Sequence, residues 1–171
     1  MDIVRTLLMV LSTKSASTTA PFPNLKSRGC TSRGDEWGIE HEIMEKDFNK
    51  WNENKKHIHA EAENKLYHRQ EVWWCSLGVN VGFEQDGVGV EHQRPVLIIK
   101  GFSKNTCLIV PLTTSLKKHP LRIPIGLVDG KQASALLSQV RIIDTKRLIN
   151  KIDFVGGEFF EIIRKAVKEL L

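Results

Sequence analysis

A chain of 171 residues is long enough for one domain with a hydrophobic core and too short for two full ones. Its composition is typical of globular domains, and no apolar run reaches the length of a membrane-spanning helix, which argues against a membrane association. The net charge of +5 lies entirely in residues 44–171, where 20 Lys/Arg face 15 Asp/Glu, so the chain favours an anionic partner.

The cysteines indicate the compartment. Cys30, Cys75 and Cys107 are odd in number and form no Cys-x-x-Cys pair. Two of them lie in apolar runs, where a free cysteine behaves as a small buried hydrophobe. This usage favours a reducing compartment, and we expect a cytoplasmic protein.

The first part of the chain divides into two segments. Residues 1–43 show no sustained apolar periodicity, and we interpret them as a disordered leader or a mis-called start. Residues 44–69 are predicted to form an amphipathic helix, because apolar residues recur there at three- and four-residue steps. These residues are Met44, Phe48, Trp51, Ile58 and Ala62.

The remaining segment, 70–171, has the pattern of a small β domain. Short runs rich in β-branched and aromatic residues predict strands. The runs are Glu71–Leu77, Val96–Ile99, Cys107–Val110, Leu121–Ile125, Gln132–Leu137 and Val140–Ile143. Pro120 and Pro124 argue that the fourth of these is an edge strand, since proline cannot donate to a central ladder. The absence of βαβ alternation predicts a mainly β fold, a small antiparallel barrel with helices.

The chain ends in a second predicted helix. It follows Gly156-Gly157, and one apolar stripe runs along it. The predicted stripe consists of Phe159, Ile162, Ile163, Ala166, Val167 and Leu170. Before it, Asp144 is positioned to cap a short helical turn.

Charged and hydroxyl side chains mark one rim of the predicted barrel. Arg94 stands at the start of one buried strand, and Thr113, Thr114 and Ser115 follow the end of the next. In an antiparallel pair the start of one strand lies beside the end of its neighbour. A guanidinium and hydroxyl groups would then share one edge, which is suitable for holding a phosphate.

Four sequence blocks in this region carry a family resemblance. They are Glu84-Gln85, Arg94-Pro95-Val96-Leu97, Val110-Pro111-Leu112-Thr113 and Gln139-Val140-Arg141-Ile142-Ile143-Asp144. In this order and at fitting spacing they are similar to the motifs of the MazF/PemK toxins, small ribonucleases of bacterial toxin–antitoxin systems. The resemblance covers roughly Glu71 to Leu171.

The resemblance implies a fold, an activity and partners. The expected fold is an SH3-like antiparallel barrel, usually a homodimer. The expected activity is metal-independent cleavage of single-stranded RNA, which uses no cofactor and leaves a 2′,3′-cyclic phosphate and a 5′-hydroxyl. A cognate acidic antitoxin is expected to inhibit this activity. The toxin would contact DNA only as part of its complex with that antitoxin.

The resemblance also assigns site residues. Arg94 and Thr113 match the residues that carry catalysis in the family, and stabilising phosphoryl charge is the natural task of a guanidinium. Glu84 is the candidate general base, or alternatively an ion-pair partner that holds Arg94. His92, the other local candidate, is interpreted as a solvated loop residue. Seven residues are expected to contact RNA: Gln85, Thr114, Ser115, Lys117, Lys118, Gln139 and Arg141.

The sequence departs from the family at several positions. Phe83 occupies a position where some members have histidine, while Leu136 and Ser138 stand where others have Arg and Asp. Arg141 fits either a phosphate contact or a surface ion pair with Asp144. The alternative function is a non-catalytic nucleic-acid- or protein-binding module of the same fold, similar to CcdB. Such a module needs no Arg/Thr pair, so the presence of Arg94 and Thr113 favours the enzyme.

Overall fold

The computed structural model describes residues 46–89, 91–115 and 117–170. The expected leader or mis-called start over residues 1–43 lies outside them. The helices of the described part are α1 (Phe48–Glu61) and α2 (Gly157–Glu169), with short 3-10 turns at Leu137–Gln139 and Thr145–Arg147. The strands are β1 (Glu71–Ser76), β2 (Gln93–Gly101), β3 (Thr106–Thr113), β4 (Arg122–Val128), β5 (Lys131–Leu136), β6 (Arg141–Asp144) and β7 (Leu148–Phe154).

The seven strands form a curled, antiparallel half-barrel, which confirms the expected mainly β fold. Six of them follow the order β4-β5-β3-β2-β1-β7, and β6 pairs with β3 off this path. Strand β4 is therefore an edge strand, as Pro120 and Pro124 predicted. Strand β3 has two further partners along its length: its first half pairs with β6, and its end pairs with β5 at Leu112 and Thr113. The 3-10 turn between β5 and β6 is therefore held beside the end of β3.

Strand β2 is buried on both faces. Leu97 and Ile99 pack with α2 in one core, while Val96 and Ile98 pack in a second core on the opposite face. The second core also contains Cys75, and burial raises the pKa of its thiol to about 12. At neutral pH this thiol stays protonated and packs as a hydrophobe.

The C-terminal helix buries the middle of the predicted stripe but not its two ends, Phe159 and Leu170, which are 45% and 44% exposed. Phe160, at 1% exposure, packs in the core with Ile163, Ala166 and Val167. The predicted stripe was wrong at Phe159, because two adjacent phenylalanines give the same helical periodicity when either one points inward. The turn at Asp144 is confirmed, since its carboxylate accepts a hydrogen bond from the backbone N–H of Lys146 at 2.8 Å.

Helix α1 ends well before the predicted span of 44–69 does, and Met44 of the predicted stripe lies outside the described residues. The Asp47 side chain caps its first turn by accepting from the Lys50 backbone N–H at 2.8 Å, and Ala62 is already extended. Beyond the helix, the Tyr67 hydroxyl donates to the carbonyl oxygen of Thr106 on β3 at 2.9 Å. Trp51 is buried at 5% exposure, but Phe48 is 49% exposed, so the expected stripe is buried only in part.

The described helices are both short, and neither combines the length and apolar character that would let it cross a bilayer.

Candidate active site

Arg94 is held at the start of β2 by two carbonyl groups. Its Nε donates to the backbone oxygen of Asp86 at 2.6 Å, and its Nη1 donates to that of Leu112 at 3.2 Å. Two of its five N–H groups are engaged in this way, and three remain for a ligand. Burial lowers the pKa of the Arg94 guanidinium from its ordinary value, while the nearby charge of Asp86 acts in the opposite direction.

Thr113 is the last residue of β3 and follows Leu112, whose carbonyl oxygen accepts from Arg94 Nη1. The pairing of Val96 with Pro111 places Arg94 opposite Thr113 when it is continued by two residues in each strand. The Thr113 hydroxyl oxygen accepts from the Ser115 backbone N–H at 3.2 Å. A hydroxyl that accepts through its oxygen keeps its own hydrogen available for donation.

The turn after β3 is held by an arginine that the family motifs do not include. Arg122 Nη1 lies 3.2 Å from the Ser115 hydroxyl and 3.2 Å from the Lys117 carbonyl oxygen, and it donates to both. Thr114, Lys117 and Lys118 are exposed around this turn. The arrangement concentrates positive charge beside the Thr113 hydroxyl.

The glutamine and arginine motifs form one hydrogen-bonded cluster. The Gln139 side-chain oxygen accepts from the Gln85 backbone N–H at 3.0 Å and from Arg141 Nη2 at 3.3 Å. The Gln85 side chain donates at 3.3 Å to the same Asp86 carbonyl that holds Arg94. Residues that are far apart in sequence are thus connected to the Arg94 site through one backbone oxygen.

Asp86 and Lys46 belong to this site although the sequence did not indicate them. One Asp86 carboxylate oxygen accepts from the Asn80 backbone N–H at 2.6 Å, and the other is 2.7 Å from Lys46 Nζ. The position of Asp86 next to Glu84-Gln85 was an available signal, because a motif's neighbours share its loop. Lys46 carried none, since it precedes the resembling region.

The structure places Glu84 away from Arg94. The Glu84 side chain is exposed and lines a shallow pocket of about 540 Å³ together with Trp51 and Arg147. Across the described ranges no ion pair joins Glu84 to Arg94, so the ion-pair alternative was wrong; carbonyl oxygens hold the guanidinium instead. Similarly, Arg141 bonds to Gln139, and no ion pair with Asp144 occurs among the residues that the structure describes.

His92 is not the solvated loop residue that was expected. It is half-buried, and its ring meets the Trp51 ring edge-on with centroids 6.0 Å apart. Its backbone has a φ of 51°, and its carbonyl oxygen accepts from the Gly78 N–H at 3.1 Å. His92 therefore closes the loop against α1, where it contacts a structural aromatic side chain.

Two positions at which the sequence departs from the family are uncharged in this chain. Leu136 is buried in the core and Ser138 is exposed, so neither brings a charged group to the site. In the part of the chain that is described, no three His, Cys, Asp or Glu side chains come together as a metal-binding group.

A second groove lies away from the Arg94 site. It has a volume of about 1020 Å³ and lies at the opposite end of β2, along Ile99, Lys100 and Gly101. Several cations line its walls: Lys65, Arg69, Lys104, Arg164 and Lys168. None of the predicted site residues lines it.

These observations define a class of protein. Its members have a curled antiparallel half-barrel with an anchored arginine and a threonine at one rim. A family model described as PemK-like, MazF-like toxin of type II toxin–antitoxin system matches residues 68–171. The chain belongs to this family, as the resemblance predicted. Because the match begins at residue 68, helix α1 lies outside the family region.

Individual proteins show the same likeness. Endoribonuclease EndoA of Bacillus subtilis (strain 168) is 30% identical over 110 residues, which cover 58% of this chain and 90% of that protein. The crystal structure of MazF from Deinococcus radiodurans matches with a TM-score of 0.53 and 18% identity, covering 62% of this chain and 96% of that one. The latter likeness supports the fold.

Proposed function

We propose that this chain is an endoribonuclease that cleaves single-stranded RNA without a metal ion. The observation that carries this proposal is the placement of Arg94: its guanidinium is fixed by two carbonyl oxygens, one of them on Leu112, and the next residue, Thr113, has a hydroxyl hydrogen available for donation. Membership in the PemK/MazF family and the similarity to a protein named as an endoribonuclease support the same activity.

The proposed reaction uses the 2′-hydroxyl of RNA as an internal nucleophile. The 2′-oxygen forms a bond to phosphorus while the bond from phosphorus to the 5′-oxygen breaks, leaving a 2′,3′-cyclic phosphate and a 5′-hydroxyl. Negative charge accumulates on the non-bridging oxygens during this step. Arg94 stabilises that charge through its remaining N–H groups, and Thr113 donates one further hydrogen bond.

The proton of the 2′-hydroxyl needs an acceptor. We retain Glu84 as the candidate general base, because its carboxylate is exposed on the loop that supplies Gln85 and Asp86 to the Arg94 site. Its side chain would need to turn from the α1 pocket toward the RNA. The leaving 5′-oxygen takes its proton from solvent in this scheme.

The rest of the site would hold the RNA strand. Arg141, Gln139 and Gln85 form one cluster beside Arg94, and the basic turn after β3 forms the other side. The proposed contacts to phosphate and base are Gln85, Thr114, Ser115, Lys117, Lys118, Gln139 and Arg141. A flexible strand is required because the attacking 2′-oxygen must align opposite the leaving oxygen, which a regular duplex prevents.

The proposal includes the partners of a type II toxin. A basic site that cuts RNA needs restraint, and a disordered acidic antitoxin segment that folds on binding would supply it. We further propose that the chain acts as a homodimer, and that it contacts DNA only through the antitoxin complex.

Cleavage of a long single-stranded RNA in EDTA tests this function. Purified protein freed of any partner should cut the single strand, spare a duplex of the same sequence and leave cyclic phosphate ends. Arg94→Ala and Thr113→Ala should each reduce the rate by about two decades or more, the scale of losing one preorganised donor. Lys131→Ala, a change at an exposed residue at the start of β5, is the matched control. Intact RNA after incubation with well-folded protein would support the non-catalytic module instead.

A further inference from the structure

We propose that Lys46 is a positioning residue for the cleavage site: it binds the Asp86 carboxylate and so keeps the Arg94 guanidinium free for phosphate. This inference rests on the proposed function. Lys46 precedes α1 and lies outside residues 68–171, which the family model matches. The role would therefore belong to the added N-terminal segment of this chain.

The lysine ammonium has a complete set of partners in the loop before β2. Lys46 Nζ lies 2.7 Å from Asp86 Oδ2, 2.8 Å from the Asn80 carbonyl oxygen and 3.1 Å from that of Gly82. Three acceptors match the three donors of an ammonium group. A residue 34 or more positions away in the chain thereby fixes the loop at three points.

Asp86 transmits this fixation to Arg94. Its carboxylate is held between Lys46 and the Asn80 backbone N–H, while its carbonyl oxygen accepts from Arg94 Nε at 2.6 Å. The two groups belong to one residue, so the contacts that hold the carboxylate also restrain the part of the loop whose carbonyl orients the guanidinium. Lys46, Asp86 and Arg94 form a continuous chain of contacts.

The charge of Asp86 gives Lys46 a second effect. Asp86 is the carboxylate whose charge acts on Arg94 in the structure. Without Lys46, this carboxylate would lose its cation and could turn to the N–H groups that a substrate phosphate needs. Because carboxylate and phosphate bind a guanidinium through the same donors, the freed Asp86 would compete with RNA.

Helix α1 fixes Lys46 where it is needed. The Lys46 carbonyl accepts from the Phe48 N–H at 2.8 Å, at the start of the helix. Further along, the Trp51 ring covers Gly78, where a Cβ atom would lie 2.0 Å from the indole. Helix α1 therefore holds the loop at two places, through Trp51 at Gly78 and through Lys46 at Asp86.

A double-mutant cycle on the full chain separates this role from general support of the fold. Lys46→Met should lower kcat/KM for single-stranded RNA at least tenfold, and Lys46→Arg should restore most of it. Asp86→Asn, the other single variant of the cycle, should lose less activity than Lys46→Met. Lys46→Met/Asp86→Asn should be at least fivefold more active than Lys46→Met alone, since it removes the competing carboxylate. A purely structural lysine predicts a double variant as poor as the single one or worse. Lys50→Met, which replaces an exposed lysine in the first turn of α1, is the matched control.

A binding measurement keeps the inference testable apart from cleavage. A fluorescein-labelled 2′-O-methyl RNA, which lacks the nucleophile, reports phosphate binding by anisotropy. Lys46→Met should weaken its binding severalfold, and the added Asp86→Asn should restore it. A wild-type protein that binds this probe but cuts no RNA refutes the proposed function while the binding cycle still tests Lys46. Unchanged binding and cleavage in Lys46→Met, or no recovery in the double variant, overturns the inference.

Discussion

At the residue scale, Glu71 shows how one carboxylate can stabilise the sheet. The Glu71 side chain is charged and buried. Its Oε2 accepts from the Trp73 indole and the His68 backbone N–H, both at 2.9 Å. Its Oε1 is 2.9 Å from Lys151 Nζ on β7. Burial by itself raises the pKa of a carboxyl, but the bonds from His68, Lys151 and Trp73 outweigh it and lower the pKa of Glu71 to about 2.

This lowered pKa predicts the acid dependence of stability. The unfolded-state pKa of a Glu is about 4.3, so the ionised form of Glu71 stabilises the fold fully above that pH and loses its effect as pH falls toward 2. The free energy involved is about 3 kcal/mol. Glu71→Gln should therefore reduce the free energy of unfolding by roughly 2–3 kcal/mol at pH 7. Its stability should also fall less steeply than that of the wild type between about pH 5 and 2.

Urea unfolding at a series of pH values measures both effects. Glu61→Gln, a change at an exposed carboxylate at the end of α1, serves as the control and should behave as the wild type. If Glu71→Gln and the wild type lost stability in parallel over this pH range, Glu71 would not be the group responsible.

Some residues of the site can be predicted from the sequence, and others cannot. Arg94 and Thr113 lie in strands whose apolar runs and order predict their neighbourhood, so their placement at one rim could be anticipated. Asp86 and Lys46 act through a loop without periodicity and through a contact between distant segments. Side-chain hydrogen bonds of that kind leave no repeat in the sequence, so the structure was needed to find them.

At the element scale, α1 binds the domain mainly through one side chain. Trp51 packs over Gly78 and edge-on to His92, and the guanidinium of Arg147 lies 5.5 Å from the Trp51 ring centroid. Helical periodicity predicted a stripe of several apolar residues, but Phe48 is half exposed. Periodicity identifies a helix and its apolar residues. Which of those residues become buried depends on the shape of the surface against which the helix packs.

This difference within one helix gives a direct stability test. Trp51→Ala should lower the free energy of unfolding by about 3–5 kcal/mol, the usual result of truncating a buried aromatic side chain. Phe48→Ala should lower it by less than about 1 kcal/mol, since much of that ring is already in water. Thermal and urea unfolding of the two variants provide the comparison. Equal losses would show that α1 is held by its whole apolar stripe, as the sequence alone suggested.

At the scale of the whole molecule, two separate regions among the described residues are rich in positive charge. One is the Arg94 rim with Arg122, Lys117 and Lys118, and the other is the large groove at the far end of β2. Net charge alone predicts an anionic partner but does not say which region meets it. The family motifs select the Arg94 rim, and the hydrogen bonds that converge there agree with that selection.

Salt dependence can locate the RNA strand on this surface. Each phosphate neutralised by a cation contributes about 0.7 to the magnitude of the slope of log affinity against log salt for single strands. If Lys117 and Lys118 each contact a phosphate, Lys117→Ala/Lys118→Ala should reduce the slope by about 1.4 for a labelled 2′-O-methyl RNA. Lys50→Ala/Lys131→Ala removes the same total charge from exposed positions on α1 and at the start of β5, and should leave the slope nearly unchanged. Equal reductions in both double variants would mean that RNA responds to the overall charge of the molecule, and that the basic turn after β3 makes no contact of its own. A reduction confined to the first pair would place the strand along that turn, beside the Thr113 hydroxyl.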